Sequence, residues 1–243
     1  MEVFVADNYE LMSKQAADAI AEILKNETTP LVCVPSGDSP KGLFKEWQTQ
    51  QEKKMIDVHN WFFLGLDEWI GLGADDEGSC RYMLNRDLFH PLKIDKEKIC
   101  CFNGKTNDTD AECNRVENYI KQHNGIDIAV VGLGMNGHIG LNEPGTSPEL
   151  YSHVSTIHPV TKSVGQKYFS SPTQLTQGIT LGLASLMKAK CLILLVSGKK
   201  KAEILQQAIE GEITEQVPAS LMRNHSNFKI FADKDAASML NHK

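Results

Sequence analysis

One glycine-rich segment, GLGMNGHIGLNEPG, brings an imidazole and a carboxylate into the same short stretch of chain at His138 and Glu143. Its glycines tolerate positive φ angles and let the backbone approach a ligand closely. A carboxylate that faces an imidazole fixes the tautomer of the ring and raises its basicity. The segment therefore predicts an acid/base pair, and a purely structural histidine is the alternative. No further Cys, His or carboxylate stands at metal-ligand spacing, so we expect no metal.

The same glycines resemble the spacing of a dinucleotide-binding fingerprint. His138 and Pro144, however, follow where that fingerprint requires a helix to begin. We therefore expect no nucleotide cofactor, and no cofactor of any other kind is indicated.

A second chemical segment is Asp67-Glu68-Trp69, which follows a short apolar run ending at Leu66. Two carboxylates beside a large aromatic ring suit a general base in a partly dry pocket. A solvated acidic turn would have the same composition. The segment predicts a base only if it lies close to the glycine-rich segment.

Two further segments have the composition of an anion site. Ser36, Gly37 and Ser39 lie in PSGDSP, where small residues let backbone N–H groups converge and hydroxyls add donors. The alternative is an ordinary turn in which Ser39 caps the next helix. Lys201 closes the run Gly198-Lys199-Lys200-Lys201 at a predicted helix start, where lysines oppose the helix dipole. An anion nearby would explain those lysines, and a solvated basic turn is the alternative.

Short apolar runs alternate with amphipathic stretches throughout the chain, which is typical of a parallel sheet covered by helices. We predict an α/β fold with a doubly wound, mostly parallel, Rossmann-like sheet, as a single domain over residues 1–243. In such a fold, ligands lie beyond the carboxyl ends of the strands. The predicted strands are Val3–Ala6, Leu31–Val34, Trp61–Leu66, Ile126–Gly132, Ser152–Ile157, Gly178–Leu181, Cys191–Val196 and Phe228–Phe231.

The composition narrows the classes of partner. The formal net charge is −6, which disfavours a nucleic-acid binder because such proteins neutralise phosphates. The six cysteines form no CxxC pair, so reduced thiols in the cytoplasm are expected. The longest apolar run, Cys191–Val196, is far shorter than the ~20 residues of a membrane span. A small molecule is the expected partner, and neither a membrane nor a nucleic acid is.

Taken in order, several segments of this chain resemble the glucosamine/galactosamine-6-phosphate deaminase (isomerase) family. The most specific is GHIGLNEPG, and the variants LDEW, GITLGL and HSNF resemble the galactosamine branch more closely. The matching segments are PSGDSP, LDEW, GLGMNGHIGLNEPG, GITLGLASLMKAK, VSGKKKAEILQQAIEG and PASLMRNHSNF.

The resemblance implies a metal-free isomerisation with loss of ammonia. A 2-amino-2-deoxyhexose 6-phosphate, with the galacto or the gluco configuration, would become a ketohexose 6-phosphate. By this resemblance Asp67 removes the proton from C2, and His138 opens the sugar ring with the support of Glu143. Members of the family range from monomers to hexamers, so a homo-oligomer is possible.

The resemblance also implies a phosphate site. Ser36, Gly37 and Ser39 would bind the phosphate together with Lys201. The family often grips the phosphate with an arginine, and Lys167 is the nearest matching residue here. A lysine supplies a point charge without the bidentate fork of arginine.

A second departure from the family pattern is Asn136, which stands where an aspartate is common. An amide orients a ring without adding negative charge. We therefore expect Glu143 to be the main charge partner of His138, with Asn136 as a geometric member of the catalytic group.

Two other functions fit part of the pattern. A 6-phosphogluconolactonase shares the predicted fold and a related glycine/histidine loop, but its loop resembles GxGxDGHxASLFPG rather than one ending in NEPG. A non-catalytic sugar-phosphate sensor would need neither Asp67 nor Glu143.

Overall fold

The fold is described here from a computed structural model that covers residues 1–241; the last two residues of the predicted domain 1–243 lie outside the described residues. Its strands are β1 (Glu2–Ala6), β2 (Leu31–Val34), β3 (Phe62–Gly65), β4 (Asp67–Trp69), β5 (Ile99–Cys100), β6 (Ile128–Gly132), β7 (His153–Thr156), β8 (Gln177–Thr180), β9 (Cys191–Val196) and β10 (Phe228–Asp233). Its helices are α1 (Tyr9–Leu24), α2 (Lys41–Glu52), α3 (Cys80–Leu84), α4 (Thr109–Gln122), α5 (Pro159–Gly165), α6 (Leu183–Leu186), α7 (Ala202–Glu210) and α8 (Pro218–Leu221).

Seven strands form a parallel sheet in the order β1-β10-β9-β6-β2-β3-β5. The central strands are apolar throughout, as parallel strands covered on both faces must be. Every residue of β2 and β9 is buried. The predicted α/β class with a Rossmann-like parallel sheet is confirmed.

Alternate residues of the central strands pack against helices on opposite faces. Val32 and Val130 belong to a core with α1 and α2, whereas Cys33 and Val131 belong to a core with α4 and α7. The period of two along a strand produces this division. Helices therefore cover both faces of the sheet.

The strand order reverses between the neighbours β2 and β6. Chain segments leaving these two strands therefore diverge and leave a crevice at their carboxyl ends. The serine-glycine loop (residues 35–40) follows β2, and the histidine loop (residues 132–145) follows β6. A Cβ placed on Gly132 would lie 3.8 Å from Ser39 Oγ, so the two loops are neighbours.

A small antiparallel sheet, β4-β8-β7, lies outside the parallel one. The sequence predicted strands at Ser152–Ile157 and Gly178–Leu181, which coincide with β7 and β8. It did not predict β4, because three residues are too few for a measurable periodicity. Helix α5 was also missed.

Two helix starts test the capping expectations. Ser79 accepts a hydrogen bond from Tyr82 N and caps α3. Ser39 does not cap α2, because Pro40 occupies that position and no side chain caps the helix. The hydroxyl of Ser39 is therefore not required by the helix. Across residues 1–241, no helix is both long and apolar enough to cross a bilayer.

Candidate active site

The histidine loop turns back on itself directly after β6. Gly134 N donates to His138 O at 2.9 Å, and Gly137 adopts a φ of +82° within this turn. The imidazole of His138 lies against the backbone of Gly134, where an added Cβ would come within 2.2 Å of Nδ1. Only glycine at position 134 leaves room for this ring orientation.

The three predicted members of the histidine loop form one hydrogen-bonded network. His138 Nδ1 lies 2.7 Å from Asn136 Oδ1, and Asn136 Nδ2 donates to Glu143 Oε2 at 2.9 Å. The direct separation between His138 Nδ1 and Glu143 Oε2 is 3.6 Å, which is too long for a hydrogen bond. The amide of Asn136 therefore links the ring to the carboxylate.

This network determines which ring nitrogen of His138 carries the proton. Because the Asn136 amide donates to Glu143, its oxygen must accept, and His138 Nδ1 carries the proton. Nε2 is then left with its lone pair. Burial lowers the pKa of His138 to about 4 against the opposing charge of Glu143. The ring is thus neutral at pH 7 and free to accept a proton at Nε2.

Helix α5 and its N-cap residue, His158, supply three contacts that sequence reasoning missed. Thr161 Oγ1 lies 3.1 Å from His138 Nδ1 and donates to Glu143 Oε2 at 3.1 Å. His158 N donates to Glu143 Oε1 at 3.2 Å. Threonine in a polar stretch carries no sequence signal, so only the tertiary fold reveals this contact.

Asp67 lies on β4, opposite Thr180 of β8. The hydroxyl of Thr180 accepts from Leu141 N at 3.2 Å, which joins this strand to the histidine loop. Burial raises the pKa of Asp67 to about 6, and a hydrogen bond from the Cys80 thiol opposes the shift. A carboxylate with this pKa is ionised at pH 7 and basic enough to remove a carbon-bound proton.

Glu68 has a different environment from its neighbour. Its carboxylate is buried and accepts hydrogen bonds from Trp69 N at 2.8 Å, Cys80 N at 2.9 Å and Arg81 N at 2.8 Å. Two of these donors are the first amides of α3. Glu68 therefore fixes the start of α3 against β4, while Asp67 is left for other chemistry.

Tyr9 stabilises the serine-glycine loop through two hydrogen bonds of its side chain. Its hydroxyl donates to Asp38 O at 2.9 Å and accepts from Gly42 N at 2.7 Å. Gly37 has a φ of +95°, and a Cβ there would lie 2.9 Å from Tyr168 Oη. Ser36 contacts the Cys80 thiol, which also contacts Asp67. The loop thus lies beside the Asp67 strand as well as the histidine loop.

Two lysines form ion pairs with an acidic residue of the serine-glycine loop. Asp38 pairs with Lys41 and with Lys167, each at 2.7 Å. Lys167 therefore reaches the serine-glycine loop through Asp38.

Lys201 approaches from the opposite side. Its Nζ donates to Leu133 O at the start of the histidine loop. Burial lowers the pKa of Lys201 to about 8, and the Lys167 charge adds to the shift. The turn before it is fixed by Asp233, whose carboxylate accepts from Gly198 N at 3.0 Å. Two ammonium groups thus flank the crevice.

Within the described residues, no group of three or more His, Cys, Asp or Glu side chains is arranged to hold a metal ion. The six cysteines are free thiols, and all but Cys101 are buried.

The chain belongs to the family of glucosamine-6-phosphate isomerases and 6-phosphogluconolactonases, whose sequence profile matches residues 6–231. This confirms the family to which the sequence motifs pointed. The family includes both enzyme classes that the sequence left in competition.

Individual relatives are more specific. A glucosamine-6-phosphate deaminase from a Thermoanaerobacter species is 37% identical over 241 residues, which cover 99% of this chain and 95% of the relative. One from Clostridium perfringens is 34% identical over 99% of this chain and 100% of its own. A solved structure of a monomeric glucosamine-6-phosphate deaminase superposes with a TM-score of 0.94 at 32% identity, covering 98% of this chain and 100% of that one.

A 6-phosphogluconolactonase from Trypanosoma brucei superposes with a TM-score of 0.76 at 20% identity, covering 98% of each chain. At that identity the likeness concerns the fold alone.

Proposed function

We propose that this protein catalyses the isomerising deamination of a 2-amino-2-deoxyhexose 6-phosphate to a ketohexose 6-phosphate and ammonia. The observation that carries the proposal is the neutral imidazole of His138, held by Asn136 with its Nε2 free, beside a strand that bears the basic carboxylate of Asp67. The high-identity relatives named glucosamine-6-phosphate deaminase support the same reaction.

The phosphate is bound away from the reacting carbons. Ser36, Gly37 and Ser39 supply backbone and hydroxyl donors, while Lys201 and Lys167 supply positive charge. The phosphate dianion of the substrate offsets the electrostatic repulsion between the ammonium groups of Lys201 and Lys167. Binding energy from this remote group fixes C1 and C2 beside the catalytic side chains.

The first chemical step opens the sugar ring. His138 Nε2 takes the proton of the O1 hydroxyl and returns it to the ring oxygen, so that C1 becomes an aldehyde. While His138 holds this proton, its imidazole is positively charged, and Glu143 stabilises that charge through Asn136. No net proton is consumed.

The second step moves a proton from C2 to C1. Asp67 removes the C2 proton, the C1–C2 double bond forms, and the aldehyde oxygen takes a proton from the substrate's own C2 ammonium group. Asp67 then returns its proton to C1, which gives a C2 iminium ion. Water adds to C2 and the C2–N bond breaks, so that the ketone forms and ammonia leaves as NH4⁺. A positioned base of this kind contributes about 10²–10⁴ in rate.

Lactone hydrolysis is the second candidate because the family includes lactonases. That reaction has no C2 proton to remove, so a basic Asp67 would have no function in it. The Asn-Glu-Pro end of the histidine loop and the deaminase-named relatives favour deamination.

The deciding experiment measures ammonia release from glucosamine 6-phosphate and galactosamine 6-phosphate side by side, with 6-phosphogluconolactone hydrolysis as the competing assay. We expect ammonia from at least one amino sugar and no lactone hydrolysis above background. Asp67→Asn should reduce turnover at least ~100-fold, as expected when a positioned base is removed, with substrate affinity kept. Lactonase activity without ammonia release would reject the proposal.

The sugar epimer, the cellular location and the oligomeric state are finer parts of the same proposal. The side-by-side assay ranks the two epimers, because the motif variants resemble the galactosamine branch whereas the relatives are named for glucosamine. Free, buried thiols favour the cytoplasm. Light scattering on the purified chain measures whether it forms a homo-oligomer or is a monomer like its solved relative.

A further inference from the structure

Thr161 is a buried side chain at the centre of the acid/base network, although it belongs to a different element from the other members. It lies on α5 and is 5% exposed. Its hydroxyl oxygen is equidistant from the ring and the carboxylate, at 3.1 Å from His138 Nδ1 and 3.1 Å from Glu143 Oε2. No other side chain outside the histidine loop bonds both groups within the described residues.

The number of available protons determines which group donates in each hydrogen bond of Thr161. A carboxylate only accepts, so the single hydroxyl proton of Thr161 must point to Glu143. The lone pairs of the oxygen then face His138 Nδ1–H, which is shared between Thr161 and Asn136. The hydroxyl therefore makes a second path between ring and carboxylate, parallel to the Asn136 amide.

We propose that Thr161 is a positioning residue that couples the charge of Glu143 to His138 during ring opening. This inference rests on the proposed function. When His138 takes a proton at Nε2, the ring becomes positively charged, and the hydrogen bonds from Nδ1–H through Thr161 and Asn136 to Glu143 stabilise that charge without moving a proton. Polarised hydrogen-bond chains of this kind strengthen one another in a dry environment.

The same contact ties the catalytic network to helix α5. Thr161 of this helix and the amide of its N-cap residue, His158, both donate hydrogen bonds to Glu143. The chain following α5 carries Lys167, which reaches the serine-glycine loop through Asp38. One short segment therefore contacts both the acid/base network and the proposed phosphate site.

Two substitutions separate the hydroxyl from the shape of the side chain. Thr161→Val keeps the volume and removes the hydroxyl, whereas Thr161→Ser keeps the hydroxyl and removes a methyl group. We expect Thr161→Val to lower kcat about 10- to 100-fold, as for a lost hydrogen bond to a charged group, with KM within about twofold. Thr161→Ser should retain kcat within about threefold. Ser163→Ala, an exposed position on the same helix, is the matched control.

A spectroscopic measurement tests the role without catalysis. The Nδ1–H proton of His138 is observed by ¹⁵N-edited NMR in each variant. We expect its resonance to move upfield in Thr161→Val and to stay near the wild-type position in Thr161→Ser. If Thr161→Val does not fold, Thr161→Ala and Thr161→Ser provide the same comparison.

The outcomes are distinct. Full activity and an unchanged Nδ1–H resonance in Thr161→Val would overturn the inference, as would a valine variant that outperforms the serine variant. Absence of ammonia release by the wild-type protein would instead overturn the proposed function, and the NMR comparison would still report on the contact.

Discussion

At the scale of the residue, neighbouring side chains of one type have different environments. Asp67 and Glu68 are adjacent carboxylates, yet three backbone amides bind Glu68 whereas a thiol contacts Asp67. In a strand, successive side chains point to opposite faces, so the two carboxylates meet different groups: Glu68 binds the backbone amides at the start of α3, and Asp67 meets the Cys80 side chain. The division between a chemical and a structural role follows from that alternation.

The pH dependence of the reaction belongs to this scale. Asp67 must be ionised, and its pKa is raised to about 6, so kcat/KM should fall about tenfold per pH unit below pH 6. Lys201 must be protonated, and its pKa is lowered to about 8, so substrate affinity should fall above pH 8. His138, with a pKa lowered to about 4, stays neutral between these limits.

The control for that profile is the binding of a phosphorylated competitive inhibitor over the same pH range. The substrate phosphate has a pKa of about 6. Inhibitor binding reports how ionisation of the phosphate affects affinity, without the chemical step. A kcat/KM profile that matches the inhibitor profile throughout the acid range would contradict the assignment of Asp67 as the base.

At the scale of the element, the histidine loop depends on close contact between a ring and a backbone. An alanine Cβ at Gly134 would meet the His138 ring at 2.2–2.4 Å, so Gly134→Ala must displace the imidazole. We expect activity to fall at least ~100-fold, because a misplacement of about 1 Å costs that much. Steady-state kinetics and circular dichroism check the result.

Gly73→Ala is the matched control for that variant. The nearest atom to a Cβ at Gly73 is 3.7 Å away, which is ordinary contact. Its activity should stay within about twofold of wild type, since surface changes of this kind are nearly neutral. Equal losses in both variants would show that the Gly134 contact has no special importance.

At the scale of the whole molecule, a protein with a negative net charge places two lysines beside its crevice. The formal net charge is −6, yet Lys201 and Lys167 flank the carboxyl ends of β2 and β6. A local site can therefore bind an anion although the surface as a whole repels it.

Anion binding should stabilise the native protein as a whole. Inorganic phosphate at 100 times its Kd should add about 2.7 kcal/mol to the free energy of unfolding, which is roughly 5–10 °C in Tm for a chain of this size. Thermal melts with increasing phosphate measure this. Lys201→Met should remove most of the shift.

Lys200→Met, in the same turn but exposed, should keep the phosphate-induced shift and serves as the control. A shift that survives in Lys201→Met, or that is lost equally in both variants, would contradict a phosphate role for Lys201.

The sequence by itself determined the parallel sheet and the chemical segments at its edge. Continuous apolar runs such as Leu31–Val34 and Cys191–Val196 coincide with β2 and β9, because a buried strand admits only apolar side chains. His138 and Glu143 belong to one short loop, and the structure places Nδ1 and Oε2 of this pair 3.6 Å apart.

Only the tertiary structure decided which distant groups complete the site. The sequence expected Glu143 as the main charge partner of His138 and Asn136 as a geometric member. The fold adds Thr161 from α5, whose hydroxyl contacts both His138 and Glu143. The strand β4 and the pairing of Asp38 with Lys167 were equally invisible. Contacts across such separations depend on chain packing, and no local periodicity or propensity encodes them.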